Sequence, residues 1–218
     1  MKLTRLLFIS ISVLFFFSCK EIKKIDPKLN VDEITALPYF NSPDFTPEWK
    51  SGTHKIPDFT FLNQNGDTIT NKNYEEKIYI ADFFFTSCPG ICPSLTKNMS
   101  TLQNVYLDDA DVLLLSHSVM PDYDTVAVLK EYAEKHKVND IKWNLITGNK
   151  DAIYKIARSG YFADEDFTLA SDDGDFIHTE NFILVDKKGF IRGVYNGTIE
   201  LEVKRLIRHV EILKKEEL

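Results

Sequence analysis

The chain of 218 residues lacks three features that would each point to a particular class of protein. It has only three cysteines, which excludes a small scaffold held together by several disulfides. It has no basic excess: 26 Lys and Arg against 33 Asp and Glu give a net charge of −7, so the electrostatic footprint of a nucleic-acid binder is missing. Its most apolar stretch, residues 6–17, is shorter than the roughly 20 residues that span a bilayer as a helix. The remaining composition, 44% hydrophobic and 27% charged, is that of a globular protein.

The first twenty residues predict export. Lys2 and Arg5 precede the apolar stretch, as in a secretory signal peptide. The stretch ends in Phe-Phe-Ser-Cys at Cys19, which resembles the lipobox of bacterial lipoproteins. That resemblance implies cleavage before Cys19 and lipidation of its thiol, so the mature protein would be lipid-anchored to a bacterial membrane and face the periplasm. The alternative is that Cys19 is simply a small residue near an ordinary cleavage site.

The rest of the chain divides into two parts. Residues 19–54 carry charges and four prolines with little apolar periodicity, which predicts a membrane-proximal tether. Within it, Tyr39, Phe40 and Trp49 are available to pack on the folded part. Residues 55–218 are predicted to form the single folded domain, following a signal peptide over residues 1–18.

The domain alternates between strand and helix patterns. The near-continuous apolar run 78–85 is typical of a central strand covered on both faces, and Asn65-Gly66 is a hairpin turn signal. Further strands are predicted over 56–62, 68–70, 112–115, 143–147, 182–185 and 191–195, and helices from residue 93 onward and over 124–136, 151–159 and 199–213. This order is that of an α/β protein with a mixed central sheet flanked by helices, and it looks like a thioredoxin-like fold.

Cys88 and Cys92 lie where the central strand passes into the first helix, in the segment FFFTSCPGICPSL. Residues four apart share one face of a helical turn, so the two sulfurs can converge. Cys92 precedes Pro93 at the helix start, where the partial positive charge of the helix is expected to favour a thiolate at Cys92. Thiolates are soft ligands that select Cu(I) and Zn(II). Because two sulfurs form an incomplete set, a third ligand is expected.

Two of the five histidines are candidates for that ligand. His178 precedes the strand that enters beside the cysteine loop in a thioredoxin-like sheet, and His117 ends a strand near the same edge. A purely structural role is the alternative for either residue. His54 precedes the first strand, and His136 and His209 fall on the polar sides of helices.

The stretch FFFTSCPGICP, residues 83–93, is similar to the CxxxCP signature of the Sco/SenC family of copper-handling, thioredoxin-like proteins. Further similar segments extend the resemblance over about residues 52–213. It implies that copper is held by Cys88, Cys92 and His178 and that both Cu(I) and Cu(II) are accepted. It also implies delivery of that copper to the copper centre of cytochrome c oxidase.

This chain departs from the family pattern at two places. Ile177 stands where an Asp commonly precedes the ligand His, which removes a partner that would orient the imidazole. Met120 stands where the family commonly has the first Asp of a second motif. Its thioether is a soft group, although a loop Met packing on the domain is the more ordinary explanation.

The first functional hypothesis is therefore a copper metallochaperone, and the second is a thiol-disulfide oxidoreductase that reduces the acceptor's cysteines with the pair Cys88 and Cys92. No proline follows Pro121, so the proline that such oxidoreductases have opposite their cysteines is absent, which favours the metal-binding role. A peroxidase is a weaker alternative, because no Arg lies between Arg5 and Arg158. Structural zinc is another, but it usually has four ligands.

Overall fold

The structure, a computed structural model, describes residues 35–163 and 179–216. These residues form a two-stranded hairpin and a seven-stranded sheet in the order β4-β3-β7-β6-β5-β8-β9. The strands are β1 (Tyr39–Phe40), β2 (Pro47–Glu48), β3 (Thr60–Asn63), β4 (Thr68–Thr70), β5 (Ile78–Phe84), β6 (Val112–Ser118), β7 (Trp143–Thr147), β8 (Asn181–Val185) and β9 (Ile191–Asn196). Strands β5, β6 and β7 are parallel and the other pairs are antiparallel. The predicted α/β fold with a mixed sheet is confirmed.

Helices cover both faces of this sheet. They are α1 (Cys92–Val105), α2 (Val126–His136), α3 (Lys150–Lys155) and α4 (Glu200–Glu216), and α3 continues into a π-helical turn (Ile156–Gly160). The apolar stripes of α1, α2 and α4 pack in one core, and α3 contributes to a second, strongly aromatic core. In the described part of the chain, no helix is long and apolar enough to cross a membrane.

Strand β5 separates the two cores and is buried along its whole length. Because successive side chains of a strand point to opposite faces, Ile80 and Phe84 enter the core under α1, and Tyr79 and Phe83 enter the aromatic core. This double burial explains the unbroken apolar run. It also means that the C-terminal end of β5, where the chain leaves the sheet, is held in place by packing on both faces.

The local predictions differ from the structure mainly at element ends. The strand predicted over residues 56–62 is β3, and it begins only at Thr60 because the backbone N–H groups before it make other hydrogen bonds. The N–H of Ile56 donates to the carbonyl of Gly189, and that of Phe59 donates to the side chain of Asn71. The predicted helix over 151–159 ends as an α-helix at Lys155 and becomes the π-helical turn.

Residues 35–54 lie against the domain. Leu37 is buried, and the ring of Tyr39 packs on that of Phe190 at 5.6 Å. Phe40 packs on Phe45 at 6.3 Å, whereas Trp49 is 66% exposed. The described part of the predicted tether thus has a fixed place on the sheet.

The guanidinium of Arg192, on β9, holds this segment and the C-terminal helix together. Its Nη2 donates to the carbonyl of Leu37 and to the carboxylate of Glu216, both at 2.6 Å. Its Nε donates to the carbonyl of Pro38 at 3.1 Å and its Nη1 to Asp186 at 3.2 Å. Arg192 is only 4% exposed, so its N–H groups are shielded from solvent and depend on these protein acceptors. Planar, multidentate recognition of this kind is specific to arginine.

We therefore expect Arg192→Lys to lower the free energy of unfolding by about 3 kcal/mol, because an ammonium cannot replace the fork and leaves buried acceptors unpaired. Urea denaturation measures the change. Lys204→Ala is the control: its pair with Glu200 is exposed, and its loss should change stability by less than about 0.5 kcal/mol. Equal stability of Arg192→Lys and the parent protein would contradict this role for the guanidinium.

Candidate metal centre

The cysteine pair lies at the sheet edge where β5 and β6 end. After Phe84 the chain turns, with the N–H of Cys88 donating to the carbonyl of Phe85 at 3.3 Å, and α1 begins at Cys92. Cys88 is half-buried, whereas Cys92 is 4% exposed and belongs to the core under α1. The strand-to-helix connection thus brings both sulfurs together, one partly accessible and one covered.

The sulfur of Cys88 occupies the N-terminus of α1. The helix has no side-chain cap on its first turn, and this sulfur instead accepts hydrogen bonds from the backbone N–H groups of Gly90, Ile91 and Cys92 and from the Cys92 thiol. Desolvation opposes ionisation of Cys88, but these bonds outweigh it and lower the pKa of Cys88 below its ordinary value. Cys88 is therefore the thiol of the pair that ionises more readily.

Cys92 has the opposite character. Burial and, to a smaller extent, the adjacent sulfur of Cys88 together raise the pKa of Cys92 to about 12, against a hydrogen bond from the N–H of Phe85. The expectation that the helix start favours a thiolate at Cys92 is wrong. The backbone N–H groups of Gly90, Ile91 and Cys92, where the helix begins, bond to Cys88, while the side chain of Cys92 lies in the apolar core.

A buried carboxylate, Asp124, holds the turn that leads to Cys88. It is fully buried between β6 and α2 and accepts hydrogen bonds from the hydroxyl of Thr86 at 2.5 Å and from the N–H of Thr86 at 3.1 Å. No role for Asp124 was predicted from the sequence. Its signal was the Asp-Thr pair at 124–125, which matches the second family motif.

A second buried carboxylate, Asp82, lies on β5 on the same sheet face as Phe84 and Cys92. The hydroxyl of Ser116 donates to it, and the indole N–H of Trp143 donates to the same hydroxyl oxygen at 2.8 Å. Burial raises the pKa of Asp82 to about 7. Any negative charge on Asp82 further disfavours a thiolate at Cys92. In the sequence, Asp82 is recognisable as the single acidic residue within the apolar run 78–85.

His117 lies on the other face of the sheet and is not a ligand beside the cysteines. It pairs across β5 and β6 with Phe83, whose ring stacks on its own at 4.8 Å, and Tyr161 packs edge-on at 5.1 Å. Burial lowers the pKa of His117 to about 3, and neither ring nitrogen has a partner of normal geometry among the described residues. The expectation that its position near the strand end brings it to the cysteine loop is wrong, because the alternation of side chains turns it away.

Among the described residues, no His, Asp or Glu joins the two cysteines in a group that could hold a metal ion. Residues 35–163 and 179–216 contain no group of three or more His, Cys, Asp or Glu arranged to hold a metal ion. His178, Ile177 and the lipidation candidate Cys19 lie outside these ranges. Met120 follows β6 at the same edge as the cysteines, where its backbone closes the turn that carries Asp124.

The remaining histidines are accounted for elsewhere. His54 donates to the carbonyl of Gly160 at 2.7 Å, His136 packs on Tyr132, and His209 bonds to the hydroxyl of Tyr195 at 2.8 Å.

Comparison with known proteins gives a consistent result. The family model described as SCO1/SenC matches residues 48–213. The structure of a SCO1/SenC family lipoprotein from Bacillus anthracis is similar with a TM-score of 0.64 and 30% identity, over 74% of this chain and 95% of that one. BsSco, a member of the Sco family of cytochrome c oxidase assembly proteins for which a disulfide switch is described, has a TM-score of 0.61 and 27% identity, over 73% of this chain and 93% of its own. ScoI of Bradyrhizobium japonicum, with copper bound, has a TM-score of 0.56 and 26% identity, over 71% and 99%.

The opposite states of the two thiols predict selective alkylation. In the reduced protein at neutral pH, iodoacetamide should modify Cys88 well before Cys92, because only the thiolate reacts and Cys92 is both protonated and covered. The rate at Cys88 should rise with pH, and the pH at which it reaches half of its maximum should lie below the ordinary thiol pKa. Peptide mass spectrometry over a pH series measures both rates.

Denatured protein is the control, since both thiols should then react at similar rates. Equal rates in the folded protein, or faster modification of Cys92, would contradict the assignment of the thiolate to Cys88.

Proposed function

The chain belongs to the SCO1/SenC family, and we propose that it is a metallochaperone that holds one copper ion through Cys88, Cys92 and His178 and delivers it to a respiratory cytochrome c oxidase during assembly. The observation that carries this proposal is the convergence of two sulfurs at one sheet edge. The copper-bound state of B. japonicum ScoI and the assembly role of the BsSco family support it.

The donor set suits copper better than a harder ion. Two sulfurs favour Cu(I), and the addition of an imidazole makes Cu(II) acceptable as well. The cysteines must lose their protons to bind, so Cys88 offers a ready ligand whereas the proton of Cys92 has to be displaced. Copper affinity should accordingly rise with pH through the neutral range.

The topology supports His178 as the third ligand. Strand β8 runs antiparallel to β5 and begins at Asn181, so the chain enters it at the edge where β5 ends. His178 is three residues before Asn181 in the sequence. Of the two histidine candidates it is the one that remains, since His117 faces the other core.

Copper titration tests the ligand set. The reduced protein should bind one Cu(I) under anaerobic conditions. Cys88→Ala, Cys92→Ala and His178→Ala should each weaken binding by more than about 100-fold, the upper end of what loss of an outer-shell partner costs. His117→Phe is the matched histidine control: it removes an imidazole from the aromatic core and should leave copper binding unchanged. Unchanged affinity in His178→Ala would show that the ligand assignment is wrong.

Thiol-disulfide reduction is the second candidate function, and the asymmetry of the cysteines favours it. The Cys88 thiolate would attack a disulfide of the acceptor, forming a mixed disulfide and releasing one acceptor thiolate. Cys92 would then lose its proton and attack the sulfur of Cys88, which releases the second acceptor thiolate. Two electrons pass to the acceptor, and Cys88 and Cys92 end as a disulfide.

The variant His178→Ala separates the two functions, because it should lose copper affinity while disulfide exchange survives. If the wild-type protein exchanges disulfides but binds no copper, disulfide reduction is its only function of the two.

The location of the protein is also part of the proposal. We infer that residues 1–18 are a signal peptide, that Cys19 is lipidated and that the following residues tether the domain to a bacterial membrane, facing the periplasm. The B. anthracis relative is a lipoprotein, which supports this arrangement. The 18 residue-to-residue steps from Cys19 to Leu37 span at most about 65 Å when the chain is extended. A donor restricted to that distance stays in the same plane as a membrane-bound acceptor.

Lipid attachment predicts that Cys19→Ser moves the protein out of the membrane fraction and abolishes incorporation of labelled fatty acid. Cys88→Ser is the control, since it also removes a thiol and should leave both properties unchanged. Unaltered membrane association of Cys19→Ser would rule out Cys19 as the anchor.

A further inference from the structure

Asp124 is a fully buried carboxylate whose described partners are hydrogen-bond donors and not cations. Its Oδ1 accepts from the hydroxyl of Thr86 at 2.5 Å. Its Oδ2 accepts from the N–H of Thr86 at 3.1 Å and from the hydroxyl of Ser118 at 2.5 Å. A carboxylate is costly to bury unless several donors compensate, so Asp124 and Thr86 depend on each other.

The side chain of Asp124 does not serve the helix that follows it. The N-cap of α2 is Thr125, whose own hydroxyl accepts from the N–H of Val128 at 3.4 Å. Asp124 therefore has no capping role at α2, and its carboxylate is directed to the loop after β5. Capping is the usual reason for an acid at this place in a chain, and here another residue has that role.

Thr86 lies inside the turn that positions Cys88. The N–H of Cys88 closes that turn on the carbonyl of Phe85, so Thr86 and Ser87 form its middle. Both polar groups with which Thr86 can donate are bound to Asp124. The turn is thus fixed from outside by a residue 38 positions away in the sequence.

The support behind Asp124 is rigid. Its N–H donates to the carbonyl of Met120 at 2.8 Å, and the N–H of Met120 donates to the hydroxyl of Ser118 at 3.2 Å. The N–H of Val119 donates to the carbonyl of Phe84 at 2.9 Å and joins this loop to the end of β5. The carboxylate is therefore held at the same sheet edge as the cysteines.

We propose that Asp124 is a positioning residue that acts through Thr86 to hold the sulfur of Cys88 in place against Cys92 and the N-terminus of α1. The proximity of the two sulfurs determines how readily they form a disulfide, and their placement determines how well they bind one ion. The copper part of this inference rests on the proposed function, whereas the disulfide part does not.

Two measurements on the full-length protein test the proposal. The first is the equilibrium between the dithiol and disulfide forms in glutathione buffers, and the second is Cu(I) affinity by anaerobic competition. Asp124→Asn should make the disulfide about tenfold less favourable, equivalent to about 30 mV. It should weaken Cu(I) binding about 10- to 100-fold.

Three further variants separate positioning from general stability. Thr86→Val removes the hydroxyl donor and should reproduce the direction of both changes, whereas Thr86→Ser keeps the donor and should restore wild-type values. Thr125→Ala is the control, because it removes the N-cap of α2 beside Asp124 without removing a donor to the Asp124 carboxylate. It should lower stability while leaving the disulfide equilibrium within about twofold of wild type.

The proposal is overturned if Asp124→Asn leaves the disulfide equilibrium unchanged, if Thr86→Ser is as impaired as Thr86→Val, or if Thr125→Ala shifts the equilibrium as much as Asp124→Asn does. Should Asp124→Asn fail to fold, the comparison of Thr86→Val with Thr86→Ser decides the matter. The glutathione equilibrium contains no copper. A wild-type protein that binds no copper therefore refutes the proposed function and leaves the role of Asp124 to the disulfide measurement.

Discussion

The sulfur of Cys88 lies where helix α1 begins and accepts hydrogen bonds from the backbone N–H groups of Gly90, Ile91 and Cys92. The asymmetry of the site depends on this one interaction. A sulfur that accepts several N–H groups at a helix start is stabilised as an anion. The sulfur one turn further on, at Cys92, lies in the core and stays protonated. The difference between two chemically identical side chains is thus produced by backbone geometry and depth.

That geometry requires a firmly held strand on one side and a firmly held loop on the other. Strand β5 is buried on both faces, so the position of Phe84 is fixed by two cores. The loop beyond it would otherwise be free to rearrange, and Asp124 restricts it through Thr86. Both supports use contacts between residues that are distant in sequence, and this distribution of contacts ties the site to the integrity of the whole fold.

Much of this arrangement could be predicted from the sequence, because the relevant signals are local. The apolar run of β5 and the Asn65-Gly66 turn each depend on near neighbours, and both predictions hold. Gly66 has the positive φ of 80° that this turn requires. The four-residue spacing of the cysteines is also a local signal, although α1 begins only at Cys92, so Cys88 lies in the turn before the helix and not on a shared helical face. The family motif added a role for the cysteines that spacing alone does not contain.

The errors arose where the outcome depends on which way a side chain faces. His117 lies near the end of β6, at the sheet edge where the cysteines are. Side chains alternate between the two faces of the strand, however, and that of His117 lies on the opposite face, against Phe83 and Tyr161. Likewise, the position of Cys92 at the start of α1 predicts a lowered pKa, but burial of its side chain in the core raises the pKa instead. Asp124 acts on Thr86 across 38 residues, a pairing that no local pattern contains. The sheet face on which a side chain lies, its depth in the core and its long-range hydrogen bonds are set only when the chain is folded, so local sequence patterns do not predict them.

The unequal cysteines suit a protein that must both hold and release its cargo. Under the proposed function, Cys88 would offer its sulfur first, at the partly exposed position, and Cys92 would join it as a ligand only after losing its proton. Return of a proton to Cys92 would weaken binding and leave copper on the sulfur that an acceptor can reach. Two thiols of equally low pKa would bind copper more tightly and release it less readily. The high pKa of the buried Cys92 is therefore consistent with transfer rather than storage.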